Sequence, residues 1–129
     1  MSQKTIAQKL FIREGYTILF VNPPKGYRSS IGKLPPKVKV LSQSSDPVDF
    51  IQVFVSSEKE LEDQLPRLKD LLAPKGLLWV TYPKLTSRLR SDVNRDSIFS
   101  YAQTLGLGPV AMIAIDETWS AFRLKKVGV

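Results

Sequence analysis

Three short apolar runs constrain this chain more than any other feature: "TILFV" (Thr17–Val21), "VDFIQVFV" (Val48–Val55) and "LLWVTYP" (Leu77–Pro83). Each is too short for a packed helix and is bounded by Pro, Gly, Ser or Asp, as buried strands are. Between the second and third runs the period changes. Leu61, Leu65, Leu68 and Leu72 recur at four-, three- and four-residue steps, which places them on one face of a helix. Ser57 followed by Glu60 forms a capping-box pattern at its start. Pro66 inside the helix predicts a kink or a restart, and "APKG" with Gly76 marks its end. Strand, helix, strand in this order is a βαβ unit, so the fold class is α/β with a mostly parallel sheet.

The remaining segments extend the pattern. "KVKVL" (Lys37–Leu41) alternates and reads as a strand near the sheet edge. Ile98, Ala102 and Leu105 mark a second helix behind the polar loop "KLTSRLRSDVNRD". "VAMIAI" (Val110–Ile115) is apolar on both faces and reads as an interior strand. Through "DET" it continues into "WSAFRLKK", which reads as a strand with one solvated face, making a terminal antiparallel hairpin. Val53, Leu78, Val80, Ile113 and Ala114 are the expected core positions. No repeat or linker interrupts the chain, so one domain is expected over residues 1–129, long enough to bury roughly two-thirds of its unfolded surface.

Composition excludes several chemistries. Without Cys or His the chain has no disulfides, no thiolate nucleophile, no imidazole base and none of the usual zinc sites built on those residues. A magnesium site would need carboxylates, and no metal site is assigned. No run approaches the ~20 apolar residues of a membrane span, and "MSQKTIAQKLFIREG" does not read as a signal peptide. A cytoplasmic protein without membrane association is expected. The net charge of +7 is unevenly placed. No acidic residue occurs from Asn22 to Ser45, where Lys25, Arg28, Lys33, Lys37 and Lys39 stand, whereas "SEKELEDQLPRLKD" is acid-rich.

The element order and the phrase "LPRLKDLLAPKGLLWVTYP" resemble S-adenosylmethionine-dependent methyltransferases, which have a Rossmann-like fold. That resemblance implies a cofactor turn after the first strand and an acidic ribose partner at the tip of the second. The chain departs from both. The first turn reads "VNPPKGY", whose prolines lack amide donors; the second tip offers Ser42 and Gln43, and a strand and helix are missing between Leu41 and Val48. No cofactor is therefore expected. The combination "GYTILFVNPPKGY", "LLWVTYPKLTS", "SDVNRD" and "IDETWSAFRL" also resembles a family of short bacterial proteins of unknown function.

Ligands of parallel sheets bind beyond the carboxyl ends of the strands, which singles out Asn22, Lys25 and Tyr27 after the first strand. Tyr82 and Lys84 follow the fourth, and Asp92, Asn94, Arg95 and Asp96 lie where the second helix begins. As ligand-binding candidates we take Asn22, Lys25, Tyr27, Tyr82, Lys84, Arg95 and Asp96, converging on one crevice; none is assigned a catalytic role. Lys25, Lys84 and Arg95 would attract an anion, with Asn22 and Tyr82 orienting it. "NPPKGY" is expected to be a turn beside a pocket rather than a phosphate cradle. For Asn94 and its acidic neighbours the alternative is helix capping. The resulting expectation is a non-catalytic domain binding a small anionic ligand or a protein partner. A divergent enzyme, methyltransferase-like or acid/base, is the alternative. Nucleic-acid binding through the basic front half is a third reading, weakened by sparse aromatic residues.

Overall fold

The computed structural model describes residues 5–84 and 91–127. A six-stranded sheet runs through it in the order β2-β1-β3-β4-β6-β5. The strands are β1 (Thr17–Val21), β2 (Lys39–Leu41), β3 (Val48–Phe54), β4 (Leu72–Pro83), β5 (Leu107–Ala114) and β6 (Trp119–Lys126). β2, β1, β3 and β4 are mutually parallel. β6 is antiparallel to both β4 and β5.

Strand alternation divides the core into two layers. Leu19, Val21, Ile51, Val53, Leu78 and Val80 face α3 (Glu58–Leu71) and α4 (Arg95–Thr104), where Leu61, Leu65, Leu68, Ile98 and Ala102 are buried. Ile18, Phe20, Phe50, Phe54 and Trp79 face the opposite way. There two one-turn helices, α1 (Ile6–Lys9) and α2 (Tyr27–Ser30), bring in Ala7 and Tyr27, with Leu10 and Ile31 just past their ends. Neither short helix is legible in the sequence. The N-terminal segment is fixed by Trp79, whose Nε1 donates to the Leu10 carbonyl at 3.1 Å.

α3 starts at Ser57, whose Oγ accepts from the Glu60 amide at 3.1 Å. The returning bond of the expected capping box lands one residue earlier, because Glu60 Oε1 accepts from both the amide and the hydroxyl of Ser56. Pro66 does not divide the helix, which runs as one element from Glu58 to Leu71. A proline removes the bond to the carbonyl four residues earlier, here that of Glu62. The Tyr101 hydroxyl of α4 donates to that oxygen at 3.4 Å, so the neighbouring helix supplies the missing donor. β4 then begins at Leu72 rather than Leu77, and its register against β3 shifts between Val48 and Phe50. In the shifted segment a Cβ on Gly76 would lie 2.7 Å from Leu72 Cδ1 and 3.0 Å from the Asp49 carbonyl oxygen.

The terminal hairpin exchanges the expected positions of its strands. β6 lies inside, between β4 and β5, with Ala121, Phe122 and Leu124 buried. β5 is the edge strand: Ala114 is exposed, Ile113 half-buried, and Val110 and Met112 are 41% and 38% exposed. The chain passes from α4 to the far edge and returns along β4. An apolar run on both faces therefore does not distinguish an interior strand from an edge strand with one uncovered face. Val53, Leu78 and Val80 are buried as expected.

The loop after β1 is a tight turn. The Tyr27 amide donates to the Pro24 carbonyl at 3.0 Å, and Gly26 between them has φ 83° and ψ 0°, the values of the third position in a type II turn. Nothing lies within 4 Å of a Cβ placed there, so the constraint is backbone conformation alone. Gly26→Ala is expected to lower unfolding free energy by about 1 kcal/mol, and Gly26→Asn by less. Denaturant titration of the three proteins checks this ranking.

Candidate functional site

Among the described residues, two of the clefts lie at the carboxyl end of the parallel strands. The first, about 760 Å³, lies at the tips of β1 and β2. Its floor is apolar, from Leu19, Val21, Val40 and Leu41, and its polar rim comprises Asn22, Arg28, Ser42, Gln43, Gln64 and Arg67. The second, about 450 Å³, is framed by Tyr82 and Lys84 at the end of β4. Asn94, Arg95 and Asp96 line it from α4, with Met112 and Ser120 from the hairpin. β3 separates the tips of β1 and β4, which sets those two tips about 10 Å apart at ordinary strand spacing.

The expected single crevice is thus divided. Tyr82, Lys84, Arg95 and Asp96 converge on the second cleft, and Asn22 lines the first. Lys25 and Tyr27 line neither. Lys25 is exposed on the turn, and Tyr27 is 4% exposed with its hydroxyl donating to Gln52 Oε1 at 2.8 Å. Gln52 Nε2 donates in turn to Thr81 Oγ1 at 2.9 Å. Burial raises the Tyr27 pKa well above the ordinary phenol value, against the bond to Gln52, and the Asp116 carboxylate adds to the rise. Its proton therefore stays in this chain of bonds at neutral pH.

Around the second cleft, several polar groups already have structural duties. Asn94 caps α4: its Oδ1 accepts from the Ser97 amide, and its own amide donates to Ser97 Oγ, both at 2.9 Å. Asp92 serves α3 instead, with Oδ1 accepting from the Glu58 amide at 2.7 Å. Arg95 and Asp96 form a 3.7 Å pair with side chains 67% and 89% exposed, a geometry of little energetic weight. Tyr82 is the buried group, its hydroxyl 3.6 Å from Met112 Sδ. Desolvation raises its pKa; nearby Arg95 lowers it and Asp96 raises it. The hydroxyl is a proton donor at neutral pH. Residues 85–90 of the polar loop lie outside the described residues. Among the described residues, no three carboxylates gather as a metal site requires, and no helix is long and apolar enough to cross a membrane.

No protein-family model and no curated protein matches the chain in sequence, so the likeness to a family of short bacterial proteins gains no support there. The fold does match solved structures. One is a SAM-dependent methyltransferase from Aquifex aeolicus (TM-score 0.61, 13% identity, 94% of this chain and 89% of that one). Another is a TehB-like SAM-dependent methyltransferase from Corynebacterium glutamicum (TM-score 0.56, 15% identity, 88% and 82%). The DhpI–SAH complex is similar over 95% of this chain and 82% of that one, with TM-score 0.65 and 9% identity. At such identities the likeness establishes the Rossmann-like methyltransferase fold. Against the expectation of a non-catalytic protein, several of the structures sharing this architecture are named as methyltransferases, and the divergent-enzyme alternative fits those names better.

The residues present fit that family's cofactor only in part. The first cleft is within the about 300–1,000 Å³ of small-molecule sites, and its amides and hydroxyl suit a nucleoside. Among the described residues, however, no carboxylate lines it and two arginines do, which suits the cofactor's carboxylate but leaves its sulfonium and ammonium without counter-charge. Pro23 and Pro24 withdraw two amides from the first turn, and Tyr27 fills the space beneath it. The methionine end of S-adenosylmethionine therefore does not fit this donor set. A ligand at a hundred times its dissociation constant stabilises by about 2.7 kcal/mol. Millimolar S-adenosylmethionine is expected to leave the melting temperature unchanged, and a clear rise in differential scanning fluorimetry would contradict this reading of the cleft.

Proposed function

We propose that the protein is a divergent enzyme on the methyltransferase scaffold, performing acid/base chemistry at the carboxyl rim of its sheet. The observation that carries this reading is the second cleft. A buried tyrosine lines a cleft that also presents Lys84 and Arg95. Tyr82 would donate a proton to an oxygen developing negative charge, while the two cations stabilise that charge. Asp96 at the cleft mouth would receive or relay a proton from solvent. Asn22 at the first cleft would position the remote part of the substrate. The fold of the structural neighbours supports an enzymatic reading, and the arrangement of ionisable groups supports the choice of chemistry. A bacterial, cytoplasmic setting is part of the same proposal, consistent with the composition.

Methyl transfer is the second reading, favoured by the neighbours' names, and one assay separates the two. The purified protein and its Tyr82→Phe variant are incubated with a metabolite extract containing S-adenosylmethionine, and consumption is followed by untargeted mass spectrometry. At least one metabolite should be consumed by the wild type and at least about a hundredfold more slowly by the variant. A product heavier by one methyl group would select methyl transfer. Identical profiles for wild type, variant and buffer would overturn the enzymatic reading.

A further inference from the structure

The first cleft departs from a sulfonium site in a direction that names a different ligand. Arg28 comes from α2, packed on one face of the sheet, and Arg67 from α3, packed on the other, and both residues line the cleft. Arg67 is held in place by Gln64, whose Oε1 accepts from Nη2 at 2.6 Å. Among the described residues neither arginine is in an ion pair, the pair there being Arg95 with Asp96. The floor at the strand tips is apolar, bordered by the Asn22 and Gln43 amides and the Ser42 hydroxyl. A flat base suits the floor, ribose and base edges suit the amides and hydroxyl, and a phosphate suits two arginines able to bind it by paired N–H donors. The chain from Asn22 to Ser45 lacks any acidic residue, so that side of the cleft does not oppose an approaching anion; the acidic residues nearby in sequence are Asp46, just beyond it, and Asp63 and Asp70 beside Arg67 on α3.

We propose that this cleft binds a phosphorylated nucleoside, a nucleoside mono- or diphosphate, in place of the sulfonium cofactor of the fold's methyltransferases. The nucleotide would be the substrate, or the recognised part of the substrate, of the enzyme proposed above. Its purpose rests on that reading, whereas its binding does not.

Calorimetry and thermal shift on the full chain test it with four probes: adenosine diphosphate, adenosine, pyrophosphate and S-adenosylmethionine. Adenosine diphosphate should bind saturably, raise the melting temperature and weaken with added salt. Adenosine and pyrophosphate should each bind at least about tenfold more weakly, since a charge-assisted contact is worth about one decade or more. Arg28→Gln and Arg67→Gln should each weaken the diphosphate about tenfold by the same reasoning, while adenosine binding and the ligand-free melting temperature stay unchanged. Both side chains are exposed, so folding should not be at issue. Adenosine binding as tightly as its diphosphate would overturn the proposal, as would pyrophosphate doing so, arginine variants without effect, or no diphosphate binding at millimolar concentration. If diphosphate binding fails while Tyr82-dependent turnover persists, only the nucleotide falls. If binding holds and no turnover is found, only the enzymatic reading falls.

Discussion

The rim of this sheet depends on one buried chain of hydrogen bonds, from the Tyr27 hydroxyl through the Gln52 amide to the Thr81 hydroxyl. Gln52 and Thr81 have no solvent exposure, and an unpaired amide in that position would be costly. The chain makes each polar atom a partner of the next and ties the loop after β1 to the two central strands. Edge-to-face contacts carry the tie outward. Tyr27 meets Phe20 at 5.8 Å and Phe54 at 4.7 Å between ring centroids, and Phe54 meets Trp119 at 5.2 Å. Trp119 in turn stands at the hairpin turn, where Asp116 Oδ1 accepts from the Thr118 and Trp119 amides. Tyr27, buried behind the turn, lines neither of the two clefts described at this rim, one at β1 and β2 and another at β4.

Much of this architecture was legible in the sequence because it rests on local pattern. β1 occupies the span expected, and Ser57 and Asn94 cap their helices with short polar side chains. The misplacements have a common physical origin. Whether an apolar strand is interior or at an edge is decided by where the chain crosses, and that information is absent from the strand itself. Hence β5 and β6 were exchanged. Pro66 was expected to disturb α3 because the compensating donor, Tyr101, is 39 residues from Glu62.

The site was legible in halves. Tyr82, Lys84, Arg95 and Asp96 meet because the end of β4 and the start of α4 lie at the same rim. Lys25 and Tyr27 were placed with them on the strength of sequence proximity to β1, yet one faces solvent and the other the core. Gln52 and Thr81 did carry a signal, each a polar residue inside an otherwise apolar strand, which in a buried position calls for a partner. Arg67 carried none: on the polar face of an amphipathic helix, a ligand-facing arginine and a solvated one look alike. The cationic character of the first cleft therefore emerges only when α2 and α3 are seen on opposite faces of the sheet.

The account stands on Tyr27 being locked beneath the turn, and a double-mutant cycle with Tyr27→Phe and Gln52→Met measures that lock. Each single change should cost about 1–3 kcal/mol by leaving a buried polar group without its partner. Because the two groups serve each other, the double variant should cost less than the sum, with a coupling of about 1 kcal/mol or more. Costs that add to within about 0.5 kcal/mol would mean the two side chains act independently, and the loop after β1 would then not be tied to the central strands through this bond.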